Sequence, residues 1–197
     1  MFGRRRDPTD MLVVGLGNPG SSYARTRHNI GAVLVERLAE RLGANLARAR
    51  GQARSADVRL GDASVVLAVP TTYMNLSGGP VSRLARKAGV RPDRLLIVHD
   101  ELDLPFGRVR LKAGGGTAGH NGLRSVEASL RSRGFLRLRI GIGRPPPGLD
   151  PAEFVLKPFM PEEREPISEA VDRGIAAIET LVAQGLDVAQ RELHSTG

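Results

Sequence analysis

The sequence predicts an α/β fold: a single domain with a mixed, mostly parallel central sheet flanked by helices. Three observations carry that expectation. Runs of Val, Leu and Ile at Leu12 to Leu16, Ser64 to Val69 and Leu95 to Val98 are nearly continuous, as in strands buried on both faces. Between them Ile30, Leu34, Leu38 and Leu42, and then Val81, Leu84 and Ala88, recur at helical spacing. Strand and helix therefore alternate, the pattern of one layered structure.

Taken in order, residues 1–10 read as a flexible basic extension carrying Arg4 to Arg6, and residues 11–197 as the domain. The apolar run Met11 to Val14 that follows is too short for the core of a secretory signal. A helix then starts near Asn29, and the second helical run ends before Gly89. Two later segments alternate strictly: Arg108, Arg110 and Lys112 oppose Val109 and Leu111, while Arg137 and Arg139 oppose Leu136, Leu138 and Ile140. Both are expected as strands with a basic face. Leu123 to Leu130 reads as a helix, Arg144 to Leu149 as a stiff loop, and Pro166 to Gly185 as a covering helix between a proline and a glycine.

Composition narrows the chemistry. The 197 residues contain no cysteine, which excludes disulfides, thiolate ligation and a cysteine nucleophile and suits a reducing cytosol. No apolar run approaches the roughly 20 residues that cross a bilayer. The formal charge of +8 points toward a polyanion such as nucleic acid, although a solvated basic surface accounts for it equally well.

The first strand runs into Gly15, Gly17 and Gly20, the G-x-G-x-x-G spacing of a dinucleotide turn. Pro19 removes one N–H from that turn, the helix begins about nine residues late, and the position for the ribose-binding acid falls inside the helix, near Glu40. A nucleotide cofactor is therefore not expected. Pro19 is instead expected to fix Asn18 at the mouth of a cleft. The later glycine cluster AGGGTAGHNG lacks the phosphate-loop pattern and places His120 and Asn121 just before a helix, where backbone donors are available.

The acid–base candidates are His28, His99, His120 and the acids Asp100, Glu101 and Asp103; His194, near the chain end, reads as incidental. Asp100 follows a buried strand, where open α/β sheets bind ligands. Asn18 and the trio Tyr73, Met74 and Asn75 follow other strands. Together Asn18, His28, Asn75, Asp100 and Asn121 suit hydrolysis by activated water: a histidine base, a carboxylate partner, and amides that donate to an oxyanion. Taken singly, each asparagine also fits a turn or cap, and Asp100 fits a loop closure. A metal held by His28, His99, His120 and Asp100 stays open as an alternative, without the local spacing of zinc motifs.

The segments GLGNPGSSYARTRHN (Gly15 to Asn29), PTTYMNLSG (Pro70 to Gly78), HDELDLP (His99 to Pro105), GHNGL (Gly119 to Leu123) and FLRLRIGIGRP (Phe135 to Pro145) together resemble the bacterial peptidyl-tRNA hydrolases. The resemblance implies an esterase that cleaves peptide from the 3′ ribose of tRNA, with no cofactor and no metal, acting as a cytoplasmic monomer. It implies that His28 is the base, Asp100 its partner, and Asn18 the residue that helps tell N-blocked from free aminoacyl-tRNA. It further implies that Tyr23, Tyr73, Met74, Asn75, His120 and Asn121 line the substrate cleft, and that Arg110, Lys112 and Arg139 bind phosphate.

Overall fold

The computed structural model describes residues 9–49 and 51–195; the arginines at 4–6 lie outside them. Its strands are β1 (Met11–Gly15), β2 (Ala47–Ala49), β3 (Ala53–Leu60), β4 (Ala63–Pro70), β5 (Leu95–Glu101), β6 (Val109–Ala113) and β7 (Leu136–Gly141). The helices are α1 (Ile30–Arg41), α2 (Gly78–Ala88), α3 (Asn121–Leu130), α4 (Pro151–Val155), α5 (Arg164–Gln184) and α6 (Leu186–Ser195). The strands form one sheet in the order β2-β3-β4-β1-β5-β7-β6. Its centre, β4-β1-β5-β7, is parallel; β3 and β2 extend it antiparallel on one side and β6 on the other.

Alternate residues of the central strands feed two cores. Met11 and Val13 point with Leu96 and Val98 into a core closed by α1, α5 and α6, while Leu12, Val14, Leu95 and Ile97 pack under α2 and α3. Burial on both faces is why these strands read as unbroken apolar runs.

The glycines of the first turn serve this layering. A Cβ on Gly15 would lie 2.2 Å from the Gly31 carbonyl oxygen, and one on Gly31 would lie 2.1 Å from that of Val98. Helix α1 is thereby pressed onto β1 and β5, and Leu16 N–H, just past β1, donates to Val98 O. Asp10, which the sequence reading left in the basic extension, is bonded to Ser64 through both its amide and its carboxylate.

Strands β2 and β3 and helices α4 and α6 went unread, although Ala56, Val58 and Leu60 alternate along β3 and Leu186, Ala189 and Leu193 share one side of α6, all against the main core. In β3 only Ala53 is fully buried; the strand exists because it pairs with β4 along its full length. Helix α4 starts where the Asp150 carboxylate accepts the Ala152 amide, with proline at its first position. Phe154 and Val155 of α4 join Ile142 in a third, small core that Leu102, Leu149 and Phe159 cover. The loop after β7 is thus bound to the carboxyl ends of the central strands.

Candidate active site

The carboxyl ends of β1, β4 and β5 open on one side, and the polar residues gather there. His28 lies in a 3-10 turn, Arg27–Asn29, that leads directly into α1. Its Nδ1 sits 2.9 and 3.1 Å from the two oxygens of Asp100, on β5. His28 is 8% and Asp100 3% exposed, so the contact is shielded from bulk water.

His120 is the second partner of Asp100, with Nε2 3.0 Å from Oδ1. Its other nitrogen, Nδ1, accepts the amides of Gly122 and Leu123 at 3.1 and 3.3 Å and so caps α3. A nitrogen that accepts two N–H groups carries no proton, so the His120 proton is on Nε2 and is donated to Asp100. Burial alone would raise the Asp100 carboxyl, but the imidazoles of His120 and His28 overcome it and hold the group well below the usual carboxylate range. Asp100 is therefore an anion, and His28 presents Nδ1–H to it. The lone pair of His28 is then on Nε2, which has no protein partner among the described residues.

His99 completes a row of three imidazoles, its ring 5.1 Å from that of His120, which in turn is 4.8 Å from that of His28. Burial, followed by the neighbouring His120, pushes His99 down to about 3. It is neutral, donates Nδ1–H to Asp100 O at 2.7 Å, and its buried Nε2 has no hydrogen-bond partner among the described residues. Of the four groups in the metal alternative, only His28, Asp100 and His120 bring ligand atoms within 4.8 Å of one another. Those atoms already share protons, and the Nδ1 of His99 is committed to the backbone.

Asn18 lies in the loop that follows β1. Its Oδ1 accepts the Met74 amide at 2.8 Å, which leaves Nδ2 as a donor with no partner among the described residues. Its backbone is held at both ends by Asn29, whose Oδ1 accepts Asn18 N–H and whose Nδ2 donates to Asn18 O, each at 2.9 Å. The sequence reading missed Asn29. The only available signal was its place directly after His28.

Met74 is buried, and the start of α3 passes it so closely that a Cβ on Gly122 would lie 2.5 Å from its sulfur. Tyr73 is 56% exposed and meets Tyr23 edge to face, with ring centroids 6.4 Å apart. Asn75 and Asn121 are exposed, and neither bonds to His28 or Asp100; Asn121 Oδ1 accepts Arg124 instead.

The basic strands lie side by side, with Arg110 opposite Arg139 and Lys112 opposite Arg137. They do not present four equivalent cations. Arg137, which the alternation placed on the basic face, is 3% exposed and donates to the Gly115 and Gly116 carbonyls at 2.6 Å, with its guanidinium over Phe135. That is a correction: the glycine loop folds over it. Arg139 pairs with Glu101 at 3.0 Å. Arg110 and Lys112 have no acidic partner among the described residues.

A buried carboxylate beside a histidine at the carboxyl edge of the parallel strands is an arrangement suited to the general-base chemistry of hydrolases. A family model described as peptidyl-tRNA hydrolase matches residues 12–197, and the chain belongs to that family. A peptidyl-tRNA hydrolase of Nocardia farcinica is 53% identical over 184 residues, covering 93% of this chain and 95% of that one. One from Mycobacterium tuberculosis is 51% identical over 186 residues, covering 94% and 97%. Among solved structures, the peptidyl-tRNA hydrolase of Acinetobacter baumannii superposes with a TM-score of 0.85 at 38% identity, over 97% of both chains.

Proposed function

We propose that this protein hydrolyses the ester bond between a peptide, or an N-blocked aminoacyl group, and the 3′ ribose of tRNA, releasing tRNA for reuse. Family membership supports the reaction, and the observation that carries its mechanism is the placement of His28 Nδ1 against the two oxygens of Asp100. Nε2 of His28 takes a proton from water, and the hydroxide adds to the ester carbonyl. The resulting imidazolium, stabilised by Asp100, returns the proton to the departing 3′ oxygen as the carbon–oxygen bond breaks. Asn18 Nδ2 is positioned as a donor at the acyl group, where it also favours N-blocked substrates. Asn75 and Asn121 are exposed amides available to the same substrate end.

Tyr23 and Tyr73 offer an aromatic surface at the cleft, with Met74 beneath it, and Lys112, Arg110 and Arg139 a basic one for the acceptor-stem phosphates. The reading needs no cofactor or metal and places the enzyme in the cytoplasm as a monomer. No helix among the described residues is long and apolar enough to cross a membrane. The decisive assay follows N-acetyl-aminoacyl-tRNA and free aminoacyl-tRNA with and without EDTA. Selective cleavage of the blocked substrate in both conditions is the expected result. Binding without cleavage would mark an RNA-binding module, and loss with EDTA a metal enzyme.

A further inference from the structure

His28 sits in a turn of only three residues with no side-chain cap, which has little intrinsic stability. Its three consecutive side chains are anchored in three directions. His28 reaches inward to Asp100, Asn29 reaches back to Asn18, and Arg27 reaches outward to the segment between α4 and α5. The first two anchors belong to the site described above. The third lies outside it.

Arg27 is 4% exposed, an unusual place for a guanidinium. Nη1 donates to Pro158 O at 2.7 Å and Lys157 O at 3.2 Å, and Nη2 to Glu163 Oε2 at 2.6 Å. The cation lies 4.4 Å from the ring centre of Phe154 and 5.3 Å from that of Phe159. Its own amide donates to Lys157 O, and Thr26 bridges Pro158. The same Glu163 oxygen accepts the Met160 amide at 2.7 Å. One buried cation thus touches two carbonyls, a carboxylate and two aromatic rings of the same segment.

We propose that Arg27 is a positioning residue for His28: it clamps residues 154–163 against the outer side of the 3-10 turn, so that the imidazole stays in register with Asp100. A planar fork is needed because one side chain must meet three acceptors, and a lysine ammonium is a point charge on a flexible stem. Without the clamp the turn keeps the Asn29 anchor to Asn18 but loses the wall behind it, and His28 samples positions off the Asp100 carboxylate. The proposal rests on the hydrolase reading for its kinetic arm only.

The test compares wild type, Arg27→Lys, Glu163→Gln and, as a stability control at a core position on α5, Ile178→Val. Thermal stability, kcat and KM on a peptidyl-tRNA, and the proton resonance of His28 Nδ1–H are read on each. Arg27→Lys is expected to lower kcat on the order of 10–100-fold, as small misplacements of catalytic groups do, with KM held within about twofold. The His28 resonance should broaden or vanish, and Glu163→Gln should follow in the same direction. Ile178→Val should lower stability without either effect. Wild-type kcat and an unchanged resonance in Arg27→Lys would overturn the proposal; if that variant does not fold, the same result in Glu163→Gln overturns it. A wild-type enzyme that leaves peptidyl-tRNA intact would defeat the hydrolase reading instead, and the resonance alone would then decide the role of Arg27.

Discussion

His120 donates from Nε2 to Asp100 across 3.0 Å while its Nδ1 receives the first amides of α3. This links the start of a helix, through one imidazole, to the carboxylate beside His28. Asp100 is thus held by two imidazole N–H donors, and substitution there should separate binding from chemistry. Asp100→Asn is expected to lower kcat by about 10³–10⁴-fold, while tRNA affinity measured by filter binding stays near wild type. His28→Ala should fall at least as far, and near wild-type single-turnover rates in it would remove His28 as the base.

Asn29 provides a second separation. It touches Asn18 through two hydrogen bonds and makes none to His28, so Asn29→Ala should act chiefly through Asn18. Loss in kcat/KM on the order of tenfold is expected, with the double variant Asn18→Ala/Asn29→Ala little worse than Asn18→Ala by itself. Additive losses would show that Asn29 acts on something else.

The buried, neutral His99 makes stability depend on acid. Its pKa in the fold is about 3 against an ordinary 6.5, so below 6.5 the unfolded chain binds a proton that the folded chain refuses. The contribution is full above 6.5 and is lost as pH falls toward about 3, at roughly 1.4 kcal/mol per pH unit. Asp100 acts with the same sign lower down, because a depressed carboxyl contributes above the ordinary carboxylate range and its contribution fades as pH falls. Urea unfolding of His99→Phe between pH 7 and 4 should therefore show a flatter acid limb than wild type; parallel curves would contradict a neutral His99.

Two glycines are needed for different reasons, Gly31 for a close backbone approach and Gly61 for a left-handed backbone. Gly31→Ala would drive a methyl to 2.1 Å from the Val98 carbonyl, and rigid backbone lies on both sides. A loss of several kcal/mol is expected, at the upper end of overpacking effects. Gly61→Ala meets no atom but needs a φ of 58°, so its loss should stay near 1 kcal/mol. Denaturant midpoints of the two variants check the ranking.

For the basic strands, replacing Arg110 and Lys112 with Gln should weaken tRNA binding and reduce the log–log salt slope by about two. Arg137→Gln should instead lower stability and leave the slope nearly unchanged, because that guanidinium holds the Gly115 and Gly116 carbonyls. An equal change of slope in both would mean that the two kinds of arginine do not differ.

The parallel core was legible because β1, β4 and β5 are buried on both faces and therefore apolar at nearly every position. The His28 and Asp100 pair was legible from residue type and strand-end placement, and the family likeness supplied the roles. Less visible were β2 and β3: β3 is only half-buried and depends on pairing with β4, and β2 in turn on pairing with β3. Alternation placed Arg137 and Arg139 on one face correctly, but it carries no information on what covers that face.

By itself, then, the sequence determined the fold class, the alternation of layers and the short inventory of groups able to do acid–base work, all of which follow from local pattern and residue chemistry. Tertiary structure alone decided that Asn29 holds Asn18, that His120 is locked as a donor, that Arg139 is paired and Arg137 covered, and that Arg27 fastens a segment 130 residues away. Each of these rests on a hydrogen bond that a side chain makes to a group 11 or more residues away. Hydrogen-bond partners at such separations are set by how the layers pack, and no periodicity records them.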